Sequence, residues 1–176
     1  MILIVSVCRE KLHYFEFVKP IEDVVKDGFV TKHYSEIGED DLEKVDKVII
    51  CGTSLRDDGF IDDLSKFGWI KDFEKPVFGI CAGFQIIGMV YGGRLKKKLE
   101  IGFFREKFDK EFLGLSGEQE VYHLHNNYVE FSNEFDIFSD GEIVQAVKYK
   151  HKEIYGVLFH PEVRQKEMIL EFVKNG

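Results

Sequence analysis

The 176-residue chain is 44% hydrophobic and 32% charged, a composition that predicts one globular domain over residues 1–176 and excludes a disordered chain. Its formal net charge of −8 argues against a nucleic-acid partner, because phosphate binding requires a basic surface. No apolar run reaches the roughly 20 residues that a membrane span needs, so we expect no membrane association.

Predicted strands and helices alternate through the first half of the chain. Continuous apolar runs, which are typical of strands buried on both faces, lie at residues 1–7, 47–51 and 76–80, and residues 29–34 alternate like a further strand. Helical patterns lie at residues 20–28, 40–45, 60–73 with a break at Gly68, and 82–91. This alternation predicts βαβ units, in which parallel strands are covered by helices on both faces of the sheet.

In the second half, predicted strands follow one another directly. Strand patterns lie at residues 99–108, 120–125, 128–131, 142–149 and 154–159, with a hairpin turn at 150–153 and an amphipathic helix at 166–174. The predicted fold class is therefore α/β: a single doubly wound, mostly parallel sheet of flavodoxin-like type, flanked by helices, with antiparallel strands added in the second half. Ligands of such sheets bind at the carboxyl ends of the strands.

The three cysteines, Cys8, Cys51 and Cys81, show neither a zinc-binding spacing nor the CxxC pattern. Residues 1–7 lack the basic segment and the cleavage site of a signal peptide, so they are predicted as a strand. We therefore predict a cytoplasmic location, where disulfides are rare. Cys8 and Cys51 fall at predicted strand ends on the same edge as Cys81. Core packing is the favoured interpretation of both, and lining of a pocket around Cys81 is the alternative.

Residues 77–85 (VFGICAGFQ) carry a buried strand directly into a helix, with Cys81 at the junction and a glycine two residues to either side. This is the layout of a nucleophile elbow, a tight turn that holds the nucleophile in a strained, exposed conformation. The helix N-terminus favours negative charge, and the backbone N–H of Ala82 is a natural oxyanion donor. Cys81 is therefore a candidate nucleophile, and a small buried core residue is the alternative.

Residues 155–163 (YGVLFHPEV) form a second candidate segment, in which an apolar strand ends in a polar triplet. Side chains two apart in an extended chain point the same way, so Glu162 is predicted to accept a hydrogen bond from one ring nitrogen of His160. That contact fixes the imidazole tautomer and leaves the other nitrogen facing a thiol. With the cysteine turn, the segment completes a Cys–His–Glu constellation.

Both segments resemble motifs of a known family. Residues 79–85 (GICAGFQ) resemble the G-I-C-x-G-x-Q nucleophile motif of class I glutamine amidotransferases, and residues 155–163 resemble their G-V-Q-F-H-P-E strand. The order and separation of the two motifs also fit, and the resemblance spans nearly the whole chain. Within the family, the second segment is most similar to the separate glutaminase subunit of GMP synthases.

The resemblance implies an enzyme that hydrolyses the side-chain amide of glutamine through a thioester on Cys81, with no cofactor. It implies His160 as the base and Glu162 as the residue that orients it. The implied backbone oxyanion donors are Ala82, Gly52 and Thr53, and the implied substrate-binding residues are Gln85, Leu124, His125 and Asn126. The released ammonia is expected to pass to a separate synthase subunit, because a chain of this length has no room for nucleotide-dependent amination.

The sequence departs from the family pattern in three places. Thr53 and Ser54 replace the second glycine and the proline of the usual oxyanion loop, and a β-branched residue tolerates positive φ poorly, so we expect a differently shaped loop. Phe84 stands where many members carry histidine, and Asn126 replaces a glycine of the substrate segment. Two alternatives to the glutaminase therefore stay open: a stand-alone γ-glutamyl hydrolase, and a triad-bearing binding domain with little turnover.

Two further polar groups have structural interpretations. His123 and His125 lie two apart on a predicted strand and form a candidate metal pair, but no carboxylate or cysteine joins them at ligand spacing. We therefore predict no metal site. Asp57 and Asp58 are predicted as helix-start and surface charges.

Overall fold

Residues 1–175, which the computed structural model describes, form two sheets with flanking helices. The strands are β1 (Ile2–Ser6), β2 (Phe29–His33), β3 (Lys47–Ile50), β4 (Val77–Ile80), β5 (Arg94–Phe112), β6 (Leu115–Glu130), β7 (Phe135–Ile137), β8 (Ala146–Tyr149) and β9 (Ile154–Val157). The α-helices are α1 (Lys11–Phe17), α2 (Lys19–Val25), α3 (Glu39–Lys44), α4 (Ala82–Val90) and α5 (Lys166–Asn175), and two 3-10 helices cover Tyr34–Glu36 and Leu64–Lys71. Within residues 1–175, no helix is long and apolar enough to cross a membrane.

The larger sheet has the strand order β2-β1-β3-β4-β9-β8-β7. Its first five strands are parallel, and β8 and β7 add antiparallel pairs at one edge. Side chains of β1 alternate between the faces: Ile2 and Ile4 pack with α2 and α5, whereas Leu3 and Val5 pack with α4 and the longer 3-10 helix. The prediction of a mostly parallel sheet with helices on both faces is confirmed.

The remaining strands, β5 and β6, form a separate, long antiparallel ribbon, and one isolated bridge between Phe108 and Ser139 links it to the segment after β7. A tight turn joins them, in which Leu113 and Gly114 both have positive φ, at 47° and 82°. The ribbon merges the predicted strands at 120–125 and 128–131 into one. Buried and half-buried side chains alternate without a break from Val121 to Val129, but the buried positions between these two are the polar residues His123, His125 and Asn127, so the sequence does not show one apolar face. Part of the predicted antiparallel addition is thus a separate ribbon.

Several predicted element boundaries were wrong. Helix α1 escaped prediction because only Phe17 of its side chains is buried, so the sequence carries no apolar stripe there. Residues 60–73 contain a 3-10 helix that runs through Gly68 without a break. Strand β7 was not predicted, β8 begins at Ala146, and β9 ends at Val157, earlier than the apolar pattern indicates.

Gly83 makes possible the close packing of α4 on the sheet. A Cβ atom at this position would lie 2.3 Å from the carbonyl oxygen of Ile50 and 2.9 Å from its Cβ, so either β3 or α4 would have to move. We expect Gly83→Ala to lower the free energy of unfolding by about 3 kcal/mol, the upper range for overpacking. Urea denaturation measures the change. Gly68→Ala is the control, since a Cβ there meets nothing within 4 Å. Equal stability of the two variants would contradict the packing argument.

Candidate active site

The candidate residues gather at the carboxyl ends of three neighbouring parallel strands. Gly52 follows β3, Cys81 follows β4, and His160 follows β9, and these strands are adjacent in the order β3-β4-β9. A Cβ on Gly52 would lie 2.7 Å from His160 Cε1 and 3.2 Å from Cys81 Cβ, so both side chains border this glycine. The site therefore lies where ligands of doubly wound sheets bind.

Cys81 occupies a strained turn between β4 and α4. Its backbone angles are φ 50° and ψ −98°, a conformation that L-residues rarely adopt. The turn is held on both sides, because the Cys81 N–H donates to the Val157 carbonyl (2.8 Å) and the Cys81 carbonyl accepts from the Gln85 N–H (3.1 Å). The N–H groups of Ala82 and Gly83 precede the first donor of the helical ladder and are available to an oxyanion.

His160 and Glu162 form a buried pair, with Nδ1 of the ring 2.6 Å from Oε1 of the carboxylate. The pair lies in a turn and not in an extended strand, since the Val163 N–H donates to the His160 carbonyl (3.3 Å). Burial disfavours the charged ring, but the charges of Glu162 and Cys81 and the hydrogen bond to Glu162 raise the pKa of His160 well above its usual value. The imidazolium is therefore the form that this pocket stabilises.

The loop after β3 is held by a buried carboxylate. Oδ2 of Asp57 accepts from the Arg9 N–H (2.7 Å) and the Thr53 hydroxyl (3.0 Å), and lies 3.2 Å from Nδ1 of His13. Asp57 is only 5% exposed, so its prediction as a surface charge was wrong. Thr53 is not among the residues with positive φ, so its side chain fits the loop without backbone strain. A buried aspartate thus anchors the loop that begins with Gly52 and Thr53.

Asp57→Ala is expected to lower the free energy of unfolding by about 1–3 kcal/mol, because it leaves the Arg9 N–H and the Thr53 hydroxyl without their acceptor. It is also expected to lower kcat for glutamine, since the loop that carries Gly52 past Cys81 loses its anchor. Urea denaturation and a glutamate-release assay measure the two effects. The exposed Asp62→Ala is the matched control, with a stability change within about 0.5 kcal/mol. A stability loss with unchanged kcat would contradict the positioning role.

Strand β6 of the ribbon crosses the mouth of the site. The Cys81 thiol donates to the Leu124 carbonyl (3.5 Å), and the Gln85 side-chain amide donates to the Asn127 carbonyl (3.3 Å). The Asn126 amide in turn donates to the Leu55 carbonyl of the opposite loop (2.7 Å). A pocket with about 270 Å³ of empty space lies between these segments, and its lining includes Thr53, Cys81, Ala82, Gln85, Leu124 and Asn126.

Seven of the ten predicted site residues line this pocket, and the other three, Gly52, His160 and Glu162, adjoin Cys81 outside the pocket lining. Two refinements follow. The His125 side chain is fully buried and turned into the ribbon, so the backbone is the part of this residue that a substrate can reach. Cys8 and Cys51 do not line the pocket. Cys51 belongs to the core, Cys8 borders a separate groove, and burial raises the pKa of both thiols. Core packing, the favoured interpretation, holds for both cysteines, since both are buried members of the same apolar cluster.

A carboxylate does join His123 and His125, contrary to the sequence-based expectation. Glu100 lies on the paired strand β5, opposite His125, and its Oε2 is 2.9 Å from His123 Nδ1 and 3.1 Å from His125 Nε2. A second carboxylate, Glu106, lies 3.4 Å from His123 Nε2. Burial and the neighbouring His123 lower the pKa of His125 to about 4, and burial and Glu100 raise the pKa of Glu106 to about 7.

Comparisons with known proteins agree with this geometry. The sequence profile of the family described as "Glutamine amidotransferase class-I" matches residues 25–176. The chain is 33% identical over 143 residues to a glutamine-hydrolyzing subunit of GMP synthase from Thermoplasma volcanium, covering 76% of this chain and 71% of that one. It is 34% identical over 148 residues to the corresponding GMP synthase subunit of Saccharolobus solfataricus, covering 77% of each.

Among solved structures, a GMP synthase subunit protein of Thermoplasma acidophilum shares the fold. It has a TM-score of 0.85 and 22% identity, and the alignment covers 98% of this chain and 92% of that one. The chain belongs to the class-I glutamine amidotransferase family. This membership confirms the sequence-based expectation of a glutamine-hydrolysing enzyme.

Proposed function

We propose that this chain is a glutaminase subunit that hydrolyses the side-chain amide of glutamine at Cys81 and supplies ammonia to a separate synthase. The observation that carries the proposal is the convergence of a strained cysteine turn and a buried histidine–glutamate pair at Gly52, beside one small pocket. The related proteins of T. volcanium and S. solfataricus are glutamine-hydrolyzing subunits of GMP synthase, which supports a synthase partner. The cytoplasmic location stays a prediction.

The reaction follows from the positions of the groups. The Cys81 sulfur attacks the amide carbon of glutamine, and the resulting oxyanion accepts hydrogen bonds from the backbone of Ala82 and of Gly52 or Thr53. His160, held by Glu162, takes the thiol proton and returns it to the leaving nitrogen, so that ammonia departs and a thioester remains. A water molecule, activated by the same imidazole, hydrolyses the thioester and releases glutamate.

Contacts across the pocket favour free glutamine over a larger γ-glutamyl amide. The Asn126 amide reaches the Leu55 carbonyl of the opposite loop, and the Leu124 carbonyl contacts the Cys81 thiol, so the pocket is narrow at the nucleophile. Gln85, Leu124, His125 and Asn126 are proposed to hold the amino-acid end of glutamine through side-chain amides and backbone groups. The stand-alone γ-glutamyl hydrolase would need the contact between Asn126 and Leu55 to open.

Labelling with a chloroketone analogue of glutamine tests the proposal. We expect a single adduct at Cys81 by mass spectrometry, with protection by glutamine and much slower labelling in His160→Ala. Cys81→Ser serves as the control for labelling at other sites. Reaction at Cys8 or Cys51 at the same rate as at Cys81 would contradict the proposal. Faster release of glutamate from a γ-glutamyl dipeptide than from glutamine would favour the hydrolase instead.

A further inference from the structure

A cluster of buried imidazole and carboxylate groups lies inside the ribbon, next to the glutamine pocket. One nitrogen of His123, one nitrogen of His125 and one carboxylate oxygen of Glu100 all lie within 4.8 Å of one another. Both histidine side chains are at most 1% exposed, and Glu100 is 16% exposed. The proposed reaction uses none of these three side chains.

The cluster leaves buried polar atoms without hydrogen-bond partners. Neither ring nitrogen of His125 forms a hydrogen bond within residues 1–175, although Nε2 lies 3.1 Å from a carboxylate oxygen. The Nε2 atom of His123 is also without one. Such groups are rare in native proteins, and each costs about 1–3 kcal/mol unless a water molecule or an ion satisfies it.

The charges of the cluster also lack compensation. Within residues 1–175, Glu100 and Glu106 form ion pairs only with histidine, and no lysine or arginine reaches them. Both ring nitrogens of His123 face a carboxylate oxygen, but a neutral imidazole has a single N–H and satisfies only one of them. With the N–H on Nε2, facing Glu106, a cation held by Nδ1 of His123, Glu100 and His125 removes this conflict.

Two of the three ligand separations are close to those of a tetrahedral zinc site. Nitrogen and oxygen ligands lie about 2.0–2.1 Å from zinc, which places them about 3.3 Å from one another. The observed separations of 2.9 and 3.1 Å from Glu100 need to widen by only a few tenths of an ångström, and the two imidazole nitrogens, which lie within 4.8 Å of each other, must adjust to about 3.3 Å. Phe104 stacks on His123 at 4.5 Å between ring centroids, and Glu106 is placed to orient that ring from its far side.

We propose that Glu100, His123 and His125 bind a zinc ion between the two strands of the ribbon. Two histidines and one carboxylate are a ligand set that zinc uses in proteins, and a water molecule completes the tetrahedron. The ion connects β5 with two residues of β6 that flank Leu124, whose carbonyl contacts the thiol of Cys81. It therefore holds the segment that closes the glutamine pocket.

The test is a calorimetric titration of the metal-free Cys81→Ser chain with zinc chloride, since that substitution removes the reactive thiol as a competing ligand. We expect one zinc ion per chain and a rise of several degrees in the unfolding temperature. Glu100→Gln and His123→Gln each remove a ligand and should weaken zinc binding at least about 100-fold; the first keeps the shape of the side chain. Glu106→Gln removes only a residue that orients His123 and should weaken zinc binding about tenfold.

His151→Gln is the matched control, because His151 is exposed and lies outside the ribbon, and it should bind zinc like its parent. The unfolding temperature of each metal-free variant shows whether it is folded. The absorption spectrum of the cobalt-substituted protein gives an independent measurement. We expect the bands of tetrahedral cobalt and no charge-transfer band from a sulfur ligand. Absence of stoichiometric zinc binding by the parent, unchanged binding by Glu100→Gln, or a sulfur band from Cys8 or Cys51 would each overturn the proposal.

Discussion

Replacing Cys81, the proposed nucleophile, with alanine is expected to lower kcat for glutamine hydrolysis by at least about 10⁴-fold, because an enzyme that loses the nucleophile of such a triad keeps only binding and oxyanion stabilisation. A coupled assay of glutamate release measures the loss. Cys51→Ala is the control for the removal of a buried thiol, since Cys51 lies in the core and does not line the pocket. Its kcat should stay within about tenfold of the parent. Residual turnover above a hundredth of the parent value in Cys81→Ala would contradict the role of the thiol.

The same position also tests whether the turn is strained. With φ at 50° and ψ at −98°, Cys81 adopts a conformation that costs an L-residue about 1–3 kcal/mol and costs glycine little. Cys81→Gly should therefore be at least as stable as Cys81→Ala, although glycine normally lowers stability by about 0.5–1 kcal/mol. Urea denaturation of both variants measures the difference. A lower stability of the glycine variant, by the usual amount, would show that the turn stores no strain.

The position of Cys81 could be predicted from the sequence because its geometry is local. A buried strand followed at once by a helix requires a tight turn, and Gly79 and Gly83 flank that turn in the sequence. His160 and Glu162 were also predicted to be in contact, but for a reason that was partly wrong. They lie in a turn closed by Val163, so their contact depends on the conformation around Pro161 and not on strand alternation.

The features that escaped prediction depend on contacts between distant segments. Asp57 has the sequence context of a surface charge, and only the packing of Arg9 and Thr53 around it makes it a buried acceptor. Glu100 meets His125 because of the ribbon register, which is shifted by an irregularity after Lys97. No local pattern encodes this register, so the expected absence of a carboxylate beside the two histidines was wrong for a physical reason.

Glu162→Gln is expected to lower kcat/KM by about 10²–10⁴-fold, since it preserves the shape of the side chain but removes the charge that stabilises the imidazolium. The charge of Glu162 raises the pKa of His160, so the variant should have a lower pKa at this ring. If the active form pairs the imidazolium with the thiolate, the alkaline limb of the pH–rate profile moves to lower pH. His160→Ala is the control, because it should abolish this limb together with the activity.

Stability gives a second measurement that does not depend on turnover. Because the folded-state pKa of His160 lies above its ordinary value of 6.5, the ring binds its proton more tightly when folded. This contribution to stability is fully present below about pH 6.5 and is lost as the pH rises through the raised pKa. The free energy of unfolding of the parent should therefore exceed that of Glu162→Gln most near pH 6.5, and the difference should shrink as the pH rises from there through the raised pKa. A difference that grows with pH in this range would mean that Glu162 does not hold the proton on His160.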